Sequence, residues 1–311
     1  MAIEHVSVQV VRKPWGRTDL RPWSCIEAFD DAVGELWFQR IDKNAPDPAL
    51  LLKLLFTNQP LSIQVHPDDA FARSIGLPNG KTEAWYILSA APESQIAVGL
   101  KRNVTPQELR ESIRDGSIAT LIKWRSVLKG DVIFIPAGTI HAIGAGIVLA
   151  EIQQRSDATF RLFDYGRQRE LHEDNAVAVA DTGPVQTRCS PRRLTGARTV
   201  LIASQHFVLE RIDLPEHSSW ALRADAETWI LVLNGHAAIG LAGASVGEAL
   251  FVSGDHTSIE VGSNGWSGLI AYPGPDPIDS LLQNLGDQST NMTTPVAQPV
   301  PHFTGFVEVR T

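Results

Sequence analysis

The sequence predicts an all-β-dominated protein: two small antiparallel β-barrels carrying a few short helices. Three observations predict it. Short apolar or alternating stretches recur along most of the chain, each bounded by Gly, Pro, Asn or Asp. Helix signals are sparse. Two segments of the first half also reappear in the second: Glu83-Ala84-Trp85-Tyr86-Ile87-Leu88 resembles Glu227-Thr228-Trp229-Ile230-Leu231-Val232, and Gly130-Asp131-Val132-Ile133-Phe134-Ile135 resembles Gly247-Glu248-Ala249-Leu250-Phe251-Val252. Each copy reads as strand, turn, strand and a Gly-acid corner feeding a further strand, which suits a barrel repeated twice better than one continuous sheet.

The elements follow in order. Residues 1–11 form a charged, strand-like stretch, and strands are expected at 34–41, 61–66, 83–88, 96–100, 131–135, 147–153 and 159–165. A short helix is expected over 68–75, after Pro67. The clearest helix start is Thr105-Pro106-Gln107-Glu108, with an N-cap threonine, a proline at the first helical position and a capping-box glutamate; that helix should run to about Arg114. The chain turns polar and rich in Arg and Pro around 167–197, which reads as a connector. Strands resume at 199–203, 207–214, 228–233, 237–241, 249–252 and 268–272. The resulting division is 1–170 for the first barrel with its N-terminal strands, 171–197 for the connector, 198–283 for the second barrel and 284–311 for a tail. That tail is rich in Thr, Gln and Pro and should be loosely packed.

The bulk composition bounds the function. A chain of 311 residues that is 43% hydrophobic and 20% charged has material for a sizeable core. A formal net charge of −8 disfavours nucleic acid, since the basic residues form only short pairs such as Arg192-Arg193 and Lys101-Arg102. A few local cations still suffice for a phosphorylated metabolite. The two cysteines, Cys25 and Cys189, are far apart and share no metal-type spacing. With no export signal read at the N-terminus, they point to a reducing cytoplasm. No run of 18 apolar residues exists, so no membrane helix is expected.

The chemistry concentrates in the first copy. Alternation along a strand sends Gln64 and His66 to one face, with Ser62 beside them, and Pro67 ends the strand. Glu83 opens the next clear strand. His141 follows the turn Pro136-Ala137-Gly138-Thr139-Ile140, after the apolar strand at 132–135. Two histidines and a carboxylate suit a divalent first-row metal such as zinc, and an amide oxygen of Gln64 offers a fourth ligand in an open, catalytic type of site. Taken singly, each residue has a plainer reading. A histidine at a strand end is more often a surface or hydrogen-bonded residue, Glu83 reads equally as a turn cap or a partner of Lys81, and His141 as the partner of a loop carbonyl. The wide spacing is a weak signal until a barrel joins the four.

Several stretches, in order, resemble the mannose-6-phosphate isomerase family in its short bacterial form. They are Lys13-Pro14-Trp15-Gly16, Gly34-Glu35-Leu36-Trp37, Leu61-Ser62-Ile63-Gln64-Val65-His66-Pro67, Gly80-Lys81-Thr82-Glu83-Ala84-Trp85-Tyr86, the run from Gly130 through Pro136-Ala137-Gly138-Thr139-Ile140-His141-Ala142 to Glu151, and Gln153, Ser156 to Arg161 and Asp164-Tyr165-Gly166-Arg167. Together they cover most of residues 10–170, and the second half matches loosely. The resemblance implies a cupin (jelly-roll) fold and one zinc ion per chain, held in the first barrel by Gln64, His66, Glu83 and His141. It implies an active site lined by Lys81, Glu151 and Arg161, with mannose 6-phosphate and fructose 6-phosphate as the substrate pair. The sequence departs from the family in two places. It has no room for the inserted helical domain of larger members, and Arg17 stands where a second glycine is expected after Gly16.

Isomerisation of an aldose to a ketose moves a proton between C1 and C2 through a cis-enediol. Such chemistry needs a base over that face, for which Glu151 is the first choice, and cations such as Lys81 and Arg161 for the developing charge. The alternative for Glu151 is to hydrogen-bond a metal ligand or an arginine and hold it in place. Strand alternation leaves Arg161 either in the lumen or in solvent, and the resemblance favours the lumen. Lys81, Arg161 and Arg155 are the candidates for the phosphate, while the turn at 156–159 should be structural, with Asp157 holding loop amides. Trp15, Trp37, Trp85 and Trp124 read as packing aromatics. The second copy keeps Glu227 and has His256 in a late corner but lacks Gln-x-His on the preceding strand, so a metal-free scaffold is expected there. The competing functions are a metal-dependent cupin oxygenase, which ordinarily uses more histidines, and a non-catalytic sugar-binding cupin. A monomer or homodimer is expected, acting on a small-molecule sugar phosphate.

Overall fold

The computed structural model describes residues 3–27, 31–42, 44–185 and 190–286. Cys189 and the expected tail beyond 286 lie outside the described residues. Strands dominate, all ladders are antiparallel, and the four described α-helices are short. No described helix is long and apolar enough to cross a membrane.

The first barrel is two sheets face to face. One has the strand order Ser7–Arg17, Val33–Gln39, Leu50–Phe56, Ile147–Gln154, Glu83–Ala90, Val132–Ile135; the other runs Phe160–Phe163, Ile63–Val65, His141–Ile143, Gln95–Leu100, Ile122–Ser126. The apolar part of the interior holds Trp15, Leu55, Trp85, Ile87, Ile96, Ile133, Ile143 and Leu149. The outer face of the five-stranded sheet (Ile63, Val65, Phe160, Leu162) is covered by helical Leu109, Ile113, Ile118 and Ala176. The expected helix forms over Pro106–Asp115, with Thr105 accepting the Glu108 amide and Gly116 ending it in the left-handed region at φ 78°. Helix Asp69–Ser74 is likewise capped, by Asp68.

The second barrel is a ten-stranded sheet that curls on itself. Its strands 228–233 and 237–241 are not separate: Thr228–Ile239 is one strand, bulged between Val232 and Asn234 and between Gly235 and Ala237. Asp255–Pro273 is a single long strand whose two ends pair with different neighbours, Ser219–Ala224 and Phe207–Leu214. Ile3–His5 pairs with Ala249–Val252, so the chain's beginning adds a strand to this sheet. Leu50, Leu52 and Leu54 of the first barrel and Trp229, Leu231 and Phe251 of the second share one buried layer. Full burial of such side chains contributes about 1.5–3 kcal/mol each, which joins the two barrels firmly.

Three expectations need correction. Leu50–Phe56, Leu-Leu-Leu-Lys-Leu-Leu-Phe, is a strand buried on both faces; it lacks alternation and so carries no half-buried-strand signal. The connector contains helix Glu173–Val179, which is anchored by Arg110 and Arg114 to Glu173 and by Ala176 in the core. It is short, has no side-chain cap and finds its partners far away in sequence, so little local signal marks it. The internal repeat is real in outline but shifted in register. Trp85 pairs with Ile133, whereas Trp229 pairs with Phe251, the counterpart of Phe134. A one-residue offset exchanges the two faces of a strand. Trp85 therefore points into its own barrel, and Trp229 points into the layer between barrels.

Candidate active site

Two rungs of side chains face each other across the first barrel. On the five-stranded sheet, Gln64 is paired on one side with Arg161 and on the other with His141. On the six-stranded sheet the rung runs Trp37, Lys53, Glu151, Trp85, Ile133. Glu83 sits two residues before Trp85 and shares its face. Two close backbone approaches bring the remaining residues in. Gly138, at φ 86°, occupies the third position of a turn closed by the Thr139 amide on Pro136 O, and its own amide binds His66 O. That conformation favours glycine and delivers His141 beside His66. Gly80 packs so tightly that a Cβ there would lie 2.6 Å from Pro67 O, and Lys81 then donates its amide to the same oxygen.

The geometry at the centre calls for a cation. His66 Nδ1 lies 2.8 Å from Ala158 O, and His141 Nδ1 lies 2.8 Å from Thr139 O. Each carbonyl fixes the proton on Nδ1 and leaves the Nε2 lone pair as an acceptor, facing Lys81 Nζ at 3.1 Å in His66 and the Gln64 amide at 3.2 Å in His141. Those lone pairs turn toward one carboxylate: His66 Nε2 is 3.4 Å from Glu83 Oε2, and His141 Nε2 is 3.5 Å from Glu83 Oε1. All three side chains are buried. Burial, with Lys81 adding to it, pushes His66 down to about 3, and burial lowers His141 as well, so both imidazoles are neutral ligands at neutral pH. Burial opposes the charge on Glu83, yet the Lys81 ammonium outweighs it and holds the carboxyl well below its usual range. Lys81 Nζ forms a buried ion pair with Glu83 Oε2 at 2.8 Å. Lone pairs about 3.4 Å apart match the edge of a tetrahedron with metal–ligand bonds of about 2.1 Å. Among the described residues, His66, Glu83 and His141 could hold a metal ion, their ligand atoms lying within 4.8 Å of one another. The Thr139 carbonyl orients His141, and Lys81 orients Glu83.

Gln64 completes the edge of this group. Its Nε2 is 3.2 Å from His141 Nε2, and its Oε1 accepts from Ser62 Oγ at 3.2 Å. Half a turn of the amide presents the oxygen to the centre instead.

A second carboxylate lies beside the first. Trp85 Nε1 donates to both Glu83 Oε1 and Glu151 Oε2, each at 3.1 Å. Burial, then the neighbouring Glu83 charge, pushes Glu151 up to about 7 against the pull of Lys81 and Lys53. Lys81, though buried, is raised by Glu83 and Glu151 and stays an ammonium. Beyond Glu151 charges alternate: Lys53 Nζ is 3.5 Å from Glu151 Oε1 and 3.8 Å from Glu35 Oε2, and Lys13 is 3.5 Å from Glu35 Oε1. Lys53 also stands over the Trp37 ring at 4.2 Å, and Trp37 Nε1 donates to Glu35.

Gln64, alone of the four candidate ligands, lines a cavity of about 190 Å³ whose charged walls are Lys13, Lys53, Lys81, Arg161 and Arg169 against Glu35, Glu151 and Asp157. Arg161 faces this lumen, with Phe160 and Leu162 on the opposite face; it donates to Glu170 O and keeps a buried, unpartnered Nε. Arg155 is brought elsewhere: it donates to Gln39 Oε1, lies near Asp47 and does not line the cavity. Arg169 stands in the wall instead, held by both oxygens of Asp164. Ser156 Oγ, not Asp157, accepts the Ala158 amide, which leaves Asp157 exposed on the cavity wall. Trp15 and Trp85 pack in the core. Sequence reasoning missed Lys53 and Glu35. The signal for Lys53 was a lone lysine inside a seven-residue apolar run, because a buried lysine demands a partner.

In the second barrel, Glu227 faces away from that barrel's interior and accepts the Ala49 and Leu50 amides, while His256 is paired with Asp225 on the surface.

No family model matches the chain. Among curated proteins, it is 38% identical over 165 residues to a mannose-6-phosphate isomerase of Streptococcus mutans, covering 51% of this chain and 52% of the relative. It is 39% identical over 146 residues to mannose-6-phosphate isomerase ManA of Bacillus subtilis, covering 45% and 46%. The match thus spans about half the length of these relatives. Among solved structures, the mannose 6-phosphate isomerase of Bacillus subtilis superposes with a TM-score of 0.76 at 23% identity, over 88% of this chain and all of the other. A mutant phosphomannose isomerase of Salmonella typhimurium gives 0.71 at 15% identity over the same shares. The chain is thus similar in sequence, over about half its length, to mannose-6-phosphate isomerases, and it shares the fold of a solved one over 88% of its length.

Proposed function

We propose that this protein is a zinc-dependent aldose–ketose isomerase that interconverts mannose 6-phosphate and fructose 6-phosphate through a cis-enediol. One observation carries the reading. A nest of neutral imidazole lone pairs and a carboxylate stands beside a second carboxylate poised near pH 7, the two joined by a single indole N–H. The relatives named above supply the substrate pair. In this reading Gln64, His66, Glu83 and His141 hold the ion. When bound, the ion polarises the sugar oxygens at C1 and C2 as a Lewis acid.

The chain's own residues do the rest. Glu151 takes the C2 proton of the aldose as a carboxylate and returns it to C1 as an acid, while the hydroxyl proton passes from O2 to O1 of the enediol; the first role suits a group ionising near neutrality. The Trp85 N–H fixes the orientation of its carboxylate. Lys81 remains charged beside the reacting oxygens and stabilises the negative charge that develops there. Arg161 and Arg169 at the cavity wall take the phosphate, with five cations against three carboxylates around the cavity favouring a dianion. The cytoplasm suits the exposed free thiol of Cys25.

The test is to purify the protein, follow fructose 6-phosphate formation from mannose 6-phosphate, strip metal with a chelator and restore zinc. Activity lost on stripping and regained with zinc is expected. Activity that survives complete metal removal overturns the mechanism, and a zinc-loaded protein without isomerase activity overturns the function.

A further inference from the structure

Among the described residues, the second barrel contributes no side chain to the cavity wall, yet one of its residues reaches the strand that carries Lys53. Glu227 Oε2 accepts the Ala49 amide at 2.6 Å, and its Oε1 accepts the Leu50 amide at 2.9 Å across 177 residues of sequence. Trp229 Nε1 steadies the same carboxylate from its own strand at 2.9 Å. These amides begin strand Leu50–Phe56. The ladder of that strand with Val33–Gln39 runs only from Leu55 to Lys53, so its first residues lack a strand partner on that side. The Glu227 carboxylate stands in for the missing backbone acceptors. The strand's outer face, Leu50, Leu52 and Leu54, is packed in the layer with Trp229 and Leu231, and Lys53 projects from the inner face.

We infer that Glu227 is a positioning residue for the active site: it clamps the start of Leu50–Phe56 and thereby holds Lys53 against Glu151. The isomerase reading underlies the catalytic half of this inference; the clamp itself does not depend on it. The second barrel is then part of the machinery that shapes the first barrel's cavity, and Glu227 belongs to that role rather than to a vestigial metal site.

The experiment compares full-length zinc-loaded wild type with Glu227→Ala, Glu227→Gln, Lys53→Met and the Glu227→Ala/Lys53→Met double variant. Hydrogen exchange of residues 49–56 is read first, without substrate. Glu227→Ala should speed exchange there at least about tenfold while the strands Glu83–Ala90 and Thr228–Ile239 keep their protection, and Glu227→Gln should fall between. In turnover of mannose 6-phosphate, Glu227→Ala should lower kcat about ten- to a hundredfold, with KM and zinc content nearly unchanged. Acting through Lys53, it should add little to Lys53→Met in the double variant. Unchanged exchange over 49–56 overturns the clamp. Losses that multiply in the double variant overturn the action through Lys53. A wild type without turnover sinks the isomerase reading, and the exchange result still decides the clamp.

Discussion

Lys53→Met tests the electrostatics of the cavity most directly. The ammonium stands 3.5 Å from Glu151 Oε1 and is buried, 2% exposed, so water screens it little. At an effective dielectric of about 20, two unit charges at that distance interact by about 5 kcal/mol, which is a ceiling. Opposite charges this close ordinarily move a carboxyl by about 1–3 pKa units, and about 2 is the working figure here because Lys81 remains. The direction is fixed: burial and Glu83 raise Glu151 to about 7, and Lys53 pulls it down. Losing Lys53 carries the group up by about two units. A base must be ionised, so on the acid side of both values the variant holds roughly a hundredfold less ionised base, a loss that recovers as pH rises. A bound cation lowers the starting point of both proteins and leaves the difference between them. The assay is kcat/KM for mannose 6-phosphate from about pH 5.5 to 9.5 on zinc-loaded wild type and variant. The acid limb should move toward alkaline pH by about two units. A uniform drop with an unmoved limb refutes the assignment of that limb to Glu151 under Lys53 control.

Three further outcomes follow from the geometry. His141→Ala removes one of the two imidazoles facing Glu83 and should strip zinc, read by metal analysis, whereas a variant that keeps stoichiometric zinc contradicts the ligand set. Glu151→Gln preserves shape and should keep zinc while lowering kcat about 10²–10⁴-fold; full activity in this variant means that another group moves the proton. In the second barrel, Arg198 forms a bidentate pair with fully buried Glu210, whose Oε1 also takes the Tyr272 hydroxyl. Arg198→Met strands that carboxylate and should cost about 3–5 kcal/mol in urea unfolding, with Arg198→Met/Glu210→Leu recovering much of it; a single-variant cost below about 1 kcal/mol contradicts the reading.

Legibility differed among the residues for physical reasons. Gln64 and His66 could be placed on one face because strand alternation is a local rule, and helix Pro106–Asp115 could be read because its cap lies within four residues of sequence. Arg161 could be placed only as inward or outward, and the pairing with Gln64 resolved it. Arg155 lies one residue beyond strand Ile147–Gln154, next to the cavity in sequence, but the structure aims it at Gln39 and Asp47. Lys53 was hidden in an apolar run, and its partners Glu151 and Glu35 come from two flanking strands. The Glu227 match was misleading because sequence similarity of two strands says nothing about their register against a partner, and register selects the face.

The sequence by itself determined what short-range chemistry controls: an all-β chain with few helices, the helix caps, the turn glycine at 138, and the residue types of a histidine–carboxylate metal site. Only the tertiary structure decided which lone pairs meet, because Glu83 and His141 are 58 residues apart and their 3.5 Å contact depends on how two sheets close over one interior. The same closure buries Glu151 between Lys53 and Trp85 and raises its carboxyl, and it turns Glu227 from the second barrel's interior to the first barrel's edge. Ionisation and register are properties of surroundings, and the surroundings exist only once the strands have paired.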